Sequence, residues 1–329
     1  MSPTRRLLVL CVAWMLPPLI DSPAGAGITF SDGGTHAINT TPEPDITLTG
    51  GTTLQVQDGA AIAGAAGANG ITGTNSSVVL SGGSITGGAE NPSTGATTNG
   101  IQLQGGSFTA TGGTGTGGAG TGDGGDALDL LAAPATISGG LFNGGSGFSQ
   151  GYGLFFSDAG PGSLLSISNG TFTGHTAASL TLDVGTATIS GGSFQGSAGA
   201  IGAGLSNGAQ LNISGGSFTG SISTTVTGNG GGSLNFFGTG LTFTPQFSSA
   251  SFETGTLTGT LSGGQMIAEK VSFFSANGYR VVTTPNSEVS FQALSVVPEP
   301  ASILMMGAGL AIVGLARRRR PNNRLPDGR

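Results

Sequence analysis

The side chains in the body of this chain that could move protons or hold a cation are few. The aspartates Asp58, Asp123, Asp126, Asp129, Asp158 and Asp183 are scattered, and the two histidines, His36 and His175, stand alone. Two carboxylates set on opposite sides of a glycosidic bond can share acid and base work. Asp158 and Asp183 are separated by close to one internal repeat, so one face could carry both. No lysine or arginine accompanies them, and His175 follows a Phe-Thr-Gly turn where an exposed imidazole is ordinary. No Ser-His-Asp order, metal-ligand spacing or phosphate loop stands out. The expectation is a chain with no catalytic residue, no metal and no cofactor.

One motif invites a metal reading. Gly122-Asp123-Gly124-Gly125-Asp126-Ala127-Leu128-Asp129 approximates the calcium nonapeptide, with Thr121 in place of its first glycine. That motif works by sharing each ion between successive stacked turns. A single imperfect copy has no partner turn, so the sequence predicts a polar loop here.

Composition limits the partners. Of 329 residues 65 are glycine, roughly three times the ~7% of ordinary proteins. Between residues 27 and 300 there are two cations, Lys270 and Arg280, against fourteen acids, a net charge of −12. Such a body repels nucleic acid and anionic membranes. The one cysteine, Cys11, lies in the first apolar run, so a processed chain has no disulfide and no thiol chemistry.

The elements that would position any site come from a repeat. The lines VVLSGGSITGG, IQLQGGSFTAT, ATISGGLFNGG, LSISNGTFTGH, ATISGGSFQGS and LNISGGSFTGS place Ile85, Phe108, Phe142, Phe172, Phe194 and Phe218 in one column. Three of the five intervals between them are nearly equal. Those from Phe108 to Phe142 and from Phe142 to Phe172 are longer and imply insertions. In ATISGGSFQG, Ile189 and Phe194 point inward and Thr188 and Ser190 outward, with Gly191 and Gly192 at a corner. A unit of this length with two or three short strands predicts an all-β fold, a parallel β-helix (solenoid) of short Gly-rich repeats. A β-sandwich or roll is the competing arrangement. Residues 109–131 fall in the longest interval and read as a flexible loop. From Leu241 the strands lengthen, as in LTFTPQF and KVSFFS, which predicts a small β-rich cap over the open end.

The two ends carry addresses. Arg5 and Arg6 precede an apolar run over residues 7–20, and Ala24-Gly25-Ala26 follows as a small-x-small cleavage site. This is the layout of a secretory signal peptide cut after Ala26, read by the secretion translocon. At the other end an apolar run covers residues 301–316. As a helix, at ~1.5 Å per residue, it spans roughly 24 Å against a bilayer core of ~30 Å. Snorkelling arginines and local thinning make up the difference, so the sequence predicts a single C-terminal transmembrane helix. Arg317, Arg318, Arg319 and Arg320 then stay on the cytoplasmic side.

Just before that run stand Pro298, Glu299 and Pro300. The prolines fix φ, donate no backbone hydrogen bond and bias their neighbours toward extended backbone. The order V-P-E-P-A-S, apolar helix, R-R-R-R at the terminus of an exported chain resembles the PEP-CTERM sorting signal of Gram-negative, polysaccharide-producing bacteria. The resemblance covers residues 297–320 alone, and the tail PNNRLPDGR that follows is longer than in many members. It implies recognition of Pro298, Glu299 and Pro300 by exosortase, a membrane enzyme that cuts near the motif. The apolar run then serves as a temporary membrane anchor, oriented by the arginines.

The sequence therefore divides into a signal peptide (1–26), a repeat region (27–240), a β-rich cap (241–296), a sorting signal with its transmembrane helix (297–320) and a cytoplasmic tail (321–329). The expected protein is exported across the inner membrane, transiently anchored, then placed at the cell surface or in the extracellular matrix as a non-enzymatic structural or adhesive component. Its outer face, rich in Ser, Thr and Asn, could contact extracellular polysaccharide and could accept glycans. A polysaccharide lyase or hydrolase on the same scaffold is the alternative, and an ordinary membrane-anchored protein without sorting is a third.

Overall fold

A computed structural model describes residues 27–40, 43–157, 164–183, 185–206, 208–227, 231–284 and 288–294. Among these residues the regular elements are all strands, and no helix is long and apolar enough to cross a membrane. The predicted transmembrane helix lies outside the described residues.

Most strands are short and pair in parallel with a strand roughly one repeat further along the chain. Three ladders result. The first runs from Ile28–Phe30 through Ile46–Leu48, Ile71–Leu80, Ile101–Ala110, Leu128–Leu131, Leu154–Ser157, Leu180–Leu182 and Ile201–Ser206 to Ile222–Thr227. The second starts at Thr35–Ile38 and Thr53–Val56 and shares the later parts of Ile71–Leu80 and Ile101–Ala110. It continues through Ala135–Asn143, Leu164–Gly174, Thr186–Gly196 and Gln210–Thr219 to Ser233–Ser248. The third links Ala61–Ala63, Ser84–Thr86 and Thr114–Thr116 to the last residues of the same long strands.

Register sets like on like along much of the core. Ile46, Ile71, Ile101, Leu128, Leu154, Leu180, Ile201 and Ile222 are successive partners of the first ladder, and every one is buried. β-Branched and leucine side chains suit this pleated, enclosed surface. In the third ladder Phe142, Phe172, Phe194 and Phe218 stack with ring centroids 5.2, 5.1 and 5.3 Å apart. Near-parallel rings at this distance add about 0.5–1.5 kcal/mol per pair to the gain from burial. The column inward of each strand merges into one apolar core.

The chain leaves the second ladder for the third at a glycine with positive φ each time: Gly59, Gly83, Gly113, Gly140, Gly170, Gly192 and Gly216. A residue with a Cβ would be strained in that conformation, which explains why the glycines recur with the repeat. Ile189 and Phe194 are buried and Thr188 and Ser190 exposed, as the alternation predicts.

Two expectations need correction. Phe108 does not belong to the phenylalanine column. It pairs with Val78 and Ala135 in the second ladder, while the partner of both Ile85 and Phe142 is Gly115. With Gly115 in place the anomalously long interval disappears, because the steps from Ile85 to Gly115 and from Gly115 to Phe142 are close to that from Phe142 to Phe172. Residues 109–131 are not one loop. They contain the strands Thr114–Thr116, Asp123–Gly124 and Leu128–Leu131, and Ala110, Ala127, Leu128 and Leu130 are in the core.

From Ser233 the pairing changes: residues 233–236 still pair in parallel with Gln210–Thr219 on one side, while 233–237 pair antiparallel on the other. Ser233–Ser248 runs antiparallel to Phe252–Leu261 and to Glu288–Ala293, and Phe252–Leu261 runs antiparallel to Met266–Ser275. Tyr279–Thr284 pairs antiparallel with Glu288–Ala293. Met266–Ser275 also extends the first ladder by pairing in parallel with Ile222–Thr227. The change therefore begins with one long strand, Ser233–Ser248, ahead of Leu241.

Candidate functional site

The residues singled out at the termini, Ala24, Ala26, Pro298, Glu299, Pro300 and Arg317 to Arg320, lie outside the described residues, and so does Asp158. Asp183 follows Leu180–Leu182. Its backbone N–H donates to the Phe156 carbonyl at 2.9 Å, and its carboxylate accepts from the Ser157 hydroxyl at 3.4 Å. His36 sits near the start of the body, stacked on Phe30 at 4.1 Å and 2.9 Å from the Asp32 carboxylate, which this contact holds below its ordinary value. His175 is exposed and bonded through its backbone. Among the described residues these side-chain contacts stay pairwise, His36 with Asp32 and Asp183 with Ser157.

The structure assembles a different cluster, from the calcium-like stretch and three segments that resemble it in outline. The four are Asn69-Gly70-Ile71-Thr72, Asn99-Gly100-Ile101-Gln102, Asp126-Ala127-Leu128-Asp129 and Tyr152-Gly153-Leu154-Phe155. Each opens a strand of the first ladder. The third residue enters the core and the fourth faces outward, so Thr72, Gln102, Asp129 and Phe155 form an outward row in register. The first residues form a second row at the adjoining corner.

That corner row is a chain of side-chain to backbone hydrogen bonds. Asn69 Oδ1 accepts from Asn99 N at 2.7 Å, Asn99 Oδ1 from Asp126 N at 2.8 Å, and Asp126 Oδ1 from Tyr152 N at 2.9 Å. Each side chain thus satisfies the backbone donor of the next strand's opening, which would otherwise be left unpaired at a bend. The two rows are tied together. Asn69 Nδ2 donates to Gln102 Oε1 at 2.9 Å, and Asp129 Oδ2 accepts from Asn99 Nδ2 at 2.9 Å and Gln102 Nε2 at 2.8 Å.

These residues border a recess of about 490 Å³. A second recess, of about 250 Å³, adjoins it through Gln102, Asp129 and Phe155, and a third, of about 470 Å³, through Tyr152. The three form a groove along the outer face of the first ladder. Tyr152 and Phe155 stack at 5.8 Å in its middle. Burial pushes the Asp126 carboxyl up to about 7, and the nearby Asp129 charge adds to the effect, against the Tyr152 N–H bond. Burial also raises Asp129, opposed by the Gln102 bond, and raises the Tyr152 phenol. A carboxyl poised near neutrality beside a second one has the composition of an acid–base pair.

A cation is a poor fit to the calcium-like stretch. Asp123 turns to the Ser149 hydroxyl, and Asp126 and Asp129 are engaged by N–H donors, which compete with a metal for the same lone pairs. Among the described residues no three His, Cys, Asp or Glu side chains group as metal ligands.

The groove escaped the sequence reading because its outward row changes letter at every strand and its corner row repeats only once, at Asn69 and Asn99. The available signal was the outline polar-small-aliphatic-x, recurring at steps of 30, 27 and 26 along the chain. No curated protein matches the chain, and no solved structure matches it. Residues 296–320 match the family model of the PEP-CTERM protein-sorting motif, so the chain carries the C-terminal sorting signal of an exosortase-targeted, secreted surface protein.

Proposed function

We propose that the mature protein is a non-enzymatic structural or adhesive component of the cell surface or extracellular matrix. The translocon exports it, the apolar run at 301–316 anchors it for a time with Arg317 to Arg320 inside, and exosortase cuts near Glu299. The three ladders then form a parallel β-helix whose last turns are covered by the antiparallel C-terminal sheet. The outer face, hydroxyl- and amide-rich and almost free of cations, contacts extracellular polysaccharide. The observation that carries this reading is the sorting motif at residues 296–320, joined to a body that keeps like residues in register.

Mass spectrometry of the mature C-terminus tests the processing. Surface material ending within a few residues of Glu299 is expected, and only in cells that hold the exosortase. Surface material that still ends in Arg329 overturns it.

A second reading, polysaccharide cleavage, is favoured by one observation: Asp126, pushed to about 7, lies beside Asp129. Zymography with matrix polysaccharides decides between the two. Turnover that disappears in Asp126→Asn replaces the structural reading with the enzymatic one.

A further inference from the structure

We propose that the groove on the first ladder is a binding site for a linear, uncharged glycan strand lying along the ladder axis, with Tyr152 and Phe155 as its stacking platform. This deepens the polysaccharide contact proposed above and rests on that reading.

Shape is the first argument. The outward row continues from Thr72, Gln102, Asp129 and Phe155 through Thr181 and Gly202 to Ser223, always in register. Neighbouring strands are ~4.8 Å apart, so seven strands span about 29 Å. A ligand along this line meets a new strand at intervals close to the length of one pyranose unit. The groove is therefore periodic and open along its length, a form suited to a polymer.

Chemistry is the second. The walls carry amides (Asn69, Gln102), carboxylates (Asp126, Asp129) and hydroxyls (Thr72, Thr181); beyond the bonds they make with one another, their remaining lone pairs and N–H and O–H groups meet sugar hydroxyls. The aromatic pair supplies flat apolar area for the C–H face of a sugar ring, and both residues are only partly buried. A surface that offers a few placed polar groups around aromatic side chains is the usual make-up of a ligand site.

Charge is the third, and it sets the class. The groove holds Asp126 and Asp129, with Asp183 lining its third recess. The two cations of the body are elsewhere: Lys270 lies opposite Thr256 and Arg280 bonds to Gln292, both in the C-terminal sheet. A uronate or sulfated strand would meet carboxylates with no compensating cation.

The test is titration of the exported protein at pH 8 with cellohexaose, laminarihexaose, maltohexaose and hexagalacturonate. At least one neutral hexasaccharide binds, hexagalacturonate does not, and Phe155→Ala weakens binding at least tenfold. A second variant guards against a folding defect. A Cβ at Gly202 would meet only ordinary contacts, with Ala178 Cβ nearest at 3.6 Å, so Gly202→Arg obstructs the groove from outside the core. It too must weaken binding at least tenfold while the melting temperature holds. Binding of a neutral glycan that both variants leave unchanged overturns the groove assignment but leaves polysaccharide contact standing. Hexagalacturonate bound as tightly as the neutral strands overturns the charge argument and the proposal with it. A wild-type protein that binds none of these and no matrix polysaccharide overturns both readings together.

Discussion

The parallel body and the antiparallel C-terminal sheet solve the same problem, burying apolar strands, by opposite means. In the body a side chain's neighbours are its own counterparts one repeat away along the chain, as with Phe172, Phe194 and Phe218. In the C-terminal sheet neighbours come from hairpins, as with Phe252–Leu261 against Met266–Ser275. The body places few charged groups and satisfies polar ones with one another, as in the row from Asn69 to Tyr152. The C-terminal sheet holds both body cations, a buried Glu253 whose Oε2 accepts from the Tyr279 hydroxyl at 2.6 Å, and exposed Phe247 and Met266. A repeat makes each position answer to two copies of itself. A hairpin sheet lets each position differ.

The largest expected effect tests that dependence. Phe194 is wholly buried between Phe172 and Phe218, with centroids at 5.1 and 5.3 Å. Phe194→Ala opens a cavity in the column and costs about 3–5 kcal/mol. In the C-terminal sheet, Phe247 is 56% exposed and touches Phe252 at 5.9 Å, and Phe247→Ala changes stability by about 0.5 kcal/mol or less. Urea midpoints of the two variants check this. Equal shifts would remove the distinction between the regions.

The next effect depends on pH. Burial lifts Asp126 from 3.8 to about 7, so the folded chain holds this proton more tightly than the unfolded one. The stability it contributes is fully present below about pH 4 and is lost as pH rises through about 7. Asparagine keeps the Oδ1 acceptor for Tyr152 N and cannot ionise. Asp126→Asn therefore gains up to about 4 kcal/mol over the native chain at pH 8 and only about 0.5 kcal/mol at pH 4. Glu269 in the C-terminal sheet is also raised by burial but is far more open to solvent, so Glu269→Gln gives a much smaller gain. Thermal melts of both variants from pH 4 to 8 measure the difference. A flat difference for Asp126→Asn would show that its carboxyl titrates normally.

What the sequence disclosed and what it hid follow the same division. The repeat, the inward Ile189 and Phe194 and the corner at Gly191 and Gly192 were legible, because period-2 alternation and glycine punctuation are local signals. The assignment of Phe108 failed because the body turns two kinds of corner with the same letters. Gly105 and Gly106 turn the chain from the first ladder to the second, Gly192 from the second to the third, and all have positive φ. GGSF fits either corner, and only strand pairing tells them apart. The groove was hidden for the converse reason. Its strands share geometry and differ in letters, so Asp126 and Asp129 read as a fragment of a calcium motif rather than as successors of Asn99 and Gln102.

Corner glycines give the smallest and most local comparison. Gly106 has φ of +78°, and a Cβ there would lie 1.9 Å from the Ser76 carbonyl oxygen of the preceding strand. That oxygen belongs to the paired backbone, so relief requires moving the ladder and not a side-chain tip. Gly264, in the hairpin between Phe252–Leu261 and Met266–Ser275, has φ of +87° and nothing within 4 Å of its Cβ position. Alanine at Gly264 meets only the left-handed backbone strain, about 1 kcal/mol. Alanine at Gly106 adds the displaced ladder to that strain and costs about 3 kcal/mol. Amide hydrogen exchange distinguishes the causes: Gly106→Ala speeds exchange in Ile71–Leu80 and Ile101–Ala110 together, whereas Gly264→Ala affects its own hairpin alone. Exchange confined to residues beside Gly106 would mean that the corner yields without its neighbours, and that the copies are less tightly coupled than their register implies.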